Sequence, residues 1–415
     1  LTVRKEIISV GFDQQLIRDI KTILNYYFLM DNPSSSAICR LVLESFKGII
    51  DANKKPTGEN EDNIITAITD FKNEIEGKIL SSRKCHTGLR KLVQNVEKFI
   101  NKKQINELDI WIDDQYKTLK EKRNGVRENA KKYFSKIFDP KKPKKYDILL
   151  YGYSELVIKT ICGFRDSIVK TLIEKYLKNS DQEEKLHKID FEQKAGEYFR
   201  IFVCEGQPKN RTAWGGRIIY HDGYRYALAL AERNFKNICI IADAIAGTLM
   251  APKNADFILP CIDFIMVGAN GFDDNEFKHS AGHRTIAASK FAFRDNSNSP
   301  KLVLSLITDK YNAEKLFDCQ CNSNEKEIGA STIDGWPFHH PFADEPIRKN
   351  IYISQDPKIK ECISNKSFDI SFYNPREDII PIDWVDIVIT ECNSYEKSRH
   401  KNWGGKLIAG KGPNN

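Results

Sequence analysis

Long apolar runs are missing from this chain of 415 residues. None reaches the roughly 18 residues that a membrane-spanning helix needs, and the longest are the length of a strand. The opening residues, LTVRKEIISVGFDQQL, lack the apolar core and cleavage site of a secretory signal. The ten cysteines lack any regular spacing: Cys39, Cys85, Cys162, Cys204, Cys239, Cys261, Cys319, Cys321, Cys362 and Cys392. They give no disulfide framework, which points to a reducing compartment and, most simply, the cytoplasm. Cys162, Cys204, Cys239 and Cys261 lie in or beside apolar runs, where a thiol serves as a small hydrophobe. Cys319 and Cys321 form the one close pair, with His339 and His340 further on, but the spacing matches no common zinc pattern. No metal and no cofactor is expected. A large charge excess is lacking too: 64 basic against 57 acidic residues leave a net +7. That describes a mixed, solvated surface, and no nucleic-acid partner is expected.

Glycine and proline are scarce up to about residue 140, and no alternating strand pattern competes there. Apolar residues recur at helical spacing in Leu16, Ile20, Ile23, Leu24 and Tyr27, and again from Ile38 through Ile49 and Ile50. Asp31 to Ser36 breaks these two helices and offers an N-cap to the second. Asp51 to Asn63 reads as a loop, and helical spacing returns over 64–80, 89–100 and 108–138. The expectation is an α-helical domain over 1–140. Asp139-Pro-Lys-Lys-Pro-Lys-Lys145 then reads as a solvated hinge, with a phosphate-contacting basic run as the alternative.

From Tyr146 strands alternate with helices. Strand-length apolar runs occur at 146–151, 198–204, 238–242, 262–267, 301–308 and 384–390. Helices are expected over 155–177, 226–234, 244–250 and 284–293, with a charged helix or loop over 178–193. This is an α/β pattern with a Rossmann-like parallel sheet over 141–415. It carries an inserted turn at 209–225 around Trp214 and Asp222, a long irregular loop at 309–350, and a polar, mobile tail from about 393.

Polar residues and glycines stand where these strands end. They are Tyr151-Gly152-Tyr153-Ser154, Glu205 with Gln207 and Lys209, Asp243, Gly268-Ala269-Asn270-Gly271, and Thr390-Glu391. In a parallel sheet all carboxyl ends lie on one rim, so groups far apart in sequence can meet one ligand there. The helix opened by Gly282-His283-Arg284-Thr285 offers free N–H groups suited to phosphate.

Read in order, several segments carry a resemblance: DILLYGYSELV (147–157), FVCEGQP (202–208), IADAIAGTLM (241–250), IDFIMVGANG (262–271), Phe372-Tyr-Asn-Pro375 with Asp378, Pro381, Val385 and Asp386, and ITE (389–391). Their order resembles the family of the alpha, beta and delta regulatory subunits of eukaryotic translation initiation factor 2B. That family also includes ribose-1,5-bisphosphate isomerase and methylthioribose-1-phosphate isomerase. The resemblance implies a helical domain followed by a Rossmann-like domain. It also implies assembly into dimers or hetero-oligomers largely through the latter, and a sugar- or nucleotide-phosphate pocket at the rim. The pocket would draw on Gly152, Tyr153, Ser154, Glu205, Gln207, Asp243, Gly268, Ala269, Asn270, Gly282 and His283. Arg40, beside Ser34-Ser-Ser-Ala37, falls where the isomerases carry a phosphate contact.

The departures concern chemistry. The isomerases place a cysteine in the turn after the first strand and pair it with an aspartate after the third. The aspartate is retained as Asp243, but the cysteine position is Gly152. Moving a proton between sugar carbons needs an acid and a base, and glycine is neither. The family's arginine in the element after the second strand is Gln207, and the asparagine before the last helix is His279. The reading is a regulatory, non-catalytic protein. The alternative is a sugar-phosphate isomerase that keeps Asp243 as a catalytic group and takes its acid from His279, His283 or Glu205.

Overall fold

A computed structural model of the chain describes residues 35–53, 61–81, 87–179, 188–206, 222–251, 262–269, 271–272, 276–280, 282–292, 299–307 and 377–397. The expected helix around Leu16, Gln207, Asn270, the loop at 309–350 and the cysteine–histidine group at 319–340 lie outside them.

Four helices come first: α1 (Ser35–Asn53), α2 (Glu61–Ser81), α3 (Thr87–Asn101) and α4 (Ile105–Phe134). Val42, Phe46, Ile49 and Ile50 fall on one face of α1 by helical spacing and are fully buried. Phe46 meets Phe71 of α2 edge-on at 5.0 Å, with Ile68, Ile75 and Val96 around them. The ends of the stretch read as a loop are helical instead: 51–53 belong to α1 and 61–63 to α2.

Helix α4 serves two cores. Ile105, Leu108 and Ile112 of its first turns belong to the helical core. Val126, Ala130, Tyr133 and Phe134 of its last turns belong to the core under the sheet. There Phe134 stacks on Phe164 at 4.0 Å.

The sheet follows. Its strands are β1 (Tyr146–Leu150), β2 (Phe199–Cys204), β3 (Ile238–Ile241), β4 (Phe264–Gly268), β7 (Lys301–Ser305), β9 (Ile387–Ile389) and β10 (Ser394–Glu396). Between them run α5 (Glu155–Asn179), α6 (Lys188–Gly196), α7 (Asp222–Ala231), a 3₁₀ turn (Asp243–Ile245), α8 (Ala246–Met250) and α9 (His283–Ala292). The strand order is β10-β9-β7-β4-β1-β2-β3, parallel throughout except for β10. Side chains of β1 alternate: Tyr146, Ile148 and Leu150 face the core under α4 and α5, while Leu149 and Tyr151 face the opposite one.

Strands β3 and β4 follow each other in sequence but not in the sheet. The chain builds outward from β1 through β2 to β3, then crosses back to lay β4 on the other side of β1. That reversal opens a crevice at the carboxyl ends of β1 and β4, where open α/β sheets take ligands. It also makes β3 an edge strand. Cys239, read as a small core hydrophobe, is exposed there, whereas Cys162 and Cys204 are buried. A second sheet of three antiparallel strands was not expected: β5 (Gly271–Phe272), β6 (Glu276–Ser280) and β8 (Glu377–Pro381). It rests on the second core through Phe277 and Ile380.

Other differences are local. His279 lies in β6, paired with Asp378, rather than at the opening of a helix. Helix α7 begins at Asp222, so the end of the expected inserted turn is helical. Residues 394–396 are not a loose tail but pair with β9. Among the described residues no helix is long and apolar enough to cross a membrane.

Candidate functional site

The turn after β1 holds the centre of the crevice. Gly152 has φ +62°, which a side-chain-bearing residue rarely adopts. Around it stand Tyr151, His279 and His283, all buried. The two imidazoles stack at 3.6 Å between ring centres, and the Tyr151 ring meets His283 edge-on at 4.7 Å. His283 Nε2 lies 2.9 Å from the Tyr151 carbonyl oxygen. That oxygen only accepts, so this nitrogen carries the proton. On the far side of Tyr151, Gly282 comes so close that a Cβ would lie 1.8 Å from the phenol oxygen. Gly268, closing β4, leaves room for Ser154: a Cβ there would lie 2.4 Å from Ser154 Oγ.

Asp243 stands at the carboxyl end of β3 and reaches this group. The Tyr151 hydroxyl donates to its Oδ2 at 3.4 Å, and the Gly206 N–H donates to its Oδ1 at 2.9 Å. Burial pushes the Asp243 carboxyl up, the Gly206 and Tyr151 donors pull it down, and the charges of Glu205 and Asp222 push it up again; the net direction is upward. Burial first, then the Asp243 charge, also pushes up the Tyr151 phenol and the Cys204 thiol. Neither is an ionised nucleophile near neutral pH.

The N–H groups that a phosphate would use are already bonded. Asp378 Oδ2 accepts from Gly282 at 2.7 Å and from Arg284 at 2.8 Å, capping the start of α9. At the start of α5, the Tyr153 N–H donates to Asp222 Oδ2 at 3.1 Å and the Ser154 N–H to the Tyr226 hydroxyl at 2.9 Å. The Arg225 guanidinium lies over the Tyr153 ring at 4.0 Å and pairs with Asp222 at 3.6 Å. Carboxylates of Glu205, Asp222, Asp243 and Asp378 thus surround a rim that was expected to attract anions.

Of the expected site residues, Gly152, Tyr153, Ser154, Glu205, Asp243, Gly268, Ala269, Gly282 and His283 all stand at these strand ends. Arg40 does not join them: it lies on α1, 4.0 Å from Glu44, and α1 packs on α2, α3 and α4. Reading the sequence placed Tyr151 at the rim but gave it no part in the pocket, and it missed the capping role of Asp222 and Asp378. An aspartate directly before a helical run is a start signal, and Asp222-Gly223 carried it. Nothing local marks Asp378, which caps a helix from 94 residues away.

No family model matches the chain, and no curated protein matches it. Solved structures do. The crystal structure of 5-methylthioribose 1-phosphate isomerase from Pyrococcus horikoshii OT3 aligns at 14% identity over 96% of this chain and 87% of that one, with a TM-score of 0.53. Translation initiation factor eIF-2B from the same organism aligns at 13% identity over 94% and 99%, with a TM-score of 0.48. The tetrameric eIF2B-beta2-delta2 complex from C. thermophilum aligns at 12% identity over 98% of both chains, with a TM-score of 0.43. The chain shares its fold with the isomerase structure: a helical part followed by a Rossmann-like parallel sheet. The resemblance read from the motifs is thereby borne out at the level of the fold.

Proposed function

We propose that this chain is a non-catalytic protein of the initiation-factor-2B-like fold, acting in the cytoplasm through partner subunits rather than on a sugar phosphate. The observation that carries this reading is the filling of the cysteine position. A Cβ at Gly152 would lie 2.3 Å from His283 Cε1 and 3.1 Å from His279 Cε1. The isomerases' acid is therefore not merely replaced; its volume belongs to two imidazoles. A phosphorylated sugar or nucleotide at the rim would also have to displace Asp222, Asp243 or Asp378 from the N–H groups they hold. As the resemblance implies, assembly runs largely through the α/β part, 141–415.

The test offers the purified chain ribose-1,5-bisphosphate and methylthioribose-1-phosphate. No turnover is expected, and calorimetry is expected to show weak binding or none. Turnover that disappears in Asp243→Asn would overturn the reading. Affinity capture against translation initiation subunits tests the partner, and retention of none of them removes the translational part of the proposal.

A further inference from the structure

The flank of the sheet formed by α4 and α5 carries charge that the rim does not explain. The two helices cross so closely that a Cβ at Gly163 would lie 2.3 Å from the Arg127 carbonyl oxygen. Along this seam Arg123 pairs with Glu155, and Arg127 Nε donates to Asp166 Oδ2 at 2.6 Å. Lys159 lies on α5 between those two carboxylates in sequence, one turn from Glu155 and two from Asp166. It is half-buried, and no carboxylate among the described residues pairs with it. Burial first, then the charges of Arg123, Arg127 and Arg233, push the Lys159 ammonium below the ordinary lysine range.

Hydrogen bonding along the seam is also incomplete, for the Glu155 Oε2 oxygen as well as for Arg123. Arg123 Nε is buried with no hydrogen-bond partner. Arg233, just past α7, donates to the Ala229 carbonyl, and the one carboxylate paired with it among the described residues is the exposed Glu232, at 3.8 Å. An exposed pair at that distance neutralises little. A half-buried cation without a counter-charge is costly, and a carboxylate brought to it is correspondingly favoured.

We propose that this seam is a docking point for a carboxylate-bearing segment of a partner protein, with Lys159 as the central contact and Arg127 and Arg233 beside it. The proposal rests on the partner-binding reading above. A protein segment fits better than a nucleic acid. Glu155, Asp166 and the exposed Glu128 border the seam and repel a continuous run of phosphates, whereas one or two carboxylates can sit between them.

The test uses a fluorescein-labelled Gly/Ser peptide carrying two glutamates, the full chain and anisotropy at low salt. The peptide is expected to bind, to weaken as salt is added, and to bind about tenfold more weakly to Lys159→Gln. Lys170→Gln, further along α5 with its own partner Glu174, is expected to bind as the unchanged chain does. Absence of binding, or equal affinity for Lys159→Gln, would overturn the proposal. So would displacement by a single-stranded oligonucleotide of equal charge more readily than by unlabelled peptide. Should Lys159→Gln fail to fold by circular dichroism, Arg233→Gln decides, because that half-exposed side chain bears no core; unchanged affinity there overturns the proposal too. Turnover of a sugar phosphate would sink the partner-binding reading without altering these affinities, so the two failures are distinguishable.

Discussion

The imidazole of His283 occupies the space that a side chain at Gly152 would need, with Cε1 only 2.3 Å from the position of a Cβ. The ring cannot easily yield. His279 stacks on one face, Tyr151 packs against it, and Nε2 is bonded to the Tyr151 carbonyl. Glycine here is a condition of the histidine packing as much as of the turn.

Gly152→Ala therefore meets two costs, a left-handed backbone and an overpacked core. Together they are expected to destabilise the chain by about 2–4 kcal/mol. Gly152→Cys is expected to lose as much and to gain no isomerase activity. Urea denaturation of Gly152→Ala with and without His283→Ala checks the cause: the second change should recover part of the loss. Full recovery of wild-type stability in Gly152→Ala alone would contradict it.

Asp378 caps two N–H groups at the start of α9 from a strand far along the chain. Asp378→Ala leaves both without their acceptor and is expected to cost about 1–2 kcal/mol. Asp378→Asn keeps one acceptor oxygen and should fall between. Hydrogen exchange at the amides of Gly282 and Arg284 is the local readout, and unchanged protection in Asp378→Ala would rule the cap out.

Asp243 sets a pH dependence. Its folded value lies above the unfolded one, so between the two the folded chain keeps a proton that the unfolded chain has lost. Stability from this group is thus fully present below the unfolded value, about pH 4, and is lost as pH rises through the folded value. Asp243→Asn retains an acceptor for the Gly206 N–H and removes that loss. At neutral pH it is expected to melt at or above the wild-type temperature, with a flatter profile from about pH 4 upward. Asp243→Ala gives up the acceptor as well and is expected to cost about 1–2 kcal/mol below about pH 4 and less at neutral pH, where the wild type has lost this group's contribution. Melting curves across pH separate the two variants; a steeper profile in Asp243→Asn would reverse the sign.

Phe134 is fully buried and stacked on Phe164. Phe134→Ala is expected to cost about 3–5 kcal/mol. Because α4 enters both cores, one cooperative transition should fall in temperature rather than a second one appear. Two resolved transitions by calorimetry would show that the cores unfold separately.

The inner parallel strands were legible because they are continuous apolar runs buried on both faces, as Ile148 to Leu150 and Ile265 to Val267 are, and the edge strand β3 was legible as an apolar run although it is partly exposed. Helices with a sustained apolar face were legible for the same reason. Strand β6 was not: Glu276-Phe-Lys-His-Ser280 has one apolar residue, and its pairing partner lies about a hundred residues away. The rim residues could be placed from strand ends alone. What they do to one another could not, since the His279–His283 stack and the Asp378 cap depend on contacts across the chain. Strand ends likewise give no sign of the side chains that hold the N–H groups of the rim, Asp378 at Gly282 and Arg284 and Asp222 at Tyr153.

Helix α4 has thirty residues, which makes it about 45 Å long. One end is sunk in the helical core through Leu108 and Ile112, the other beneath the sheet through Val126, Ala130 and Phe134. At its far end Asn129 donates to the Thr390 carbonyl, at the last turn of the parallel strands. The helix is thus a beam anchored in both walls. A tilt imposed on the helical part turns the beam, and its footing lies beside Lys159 and under the strand ends that form the crevice.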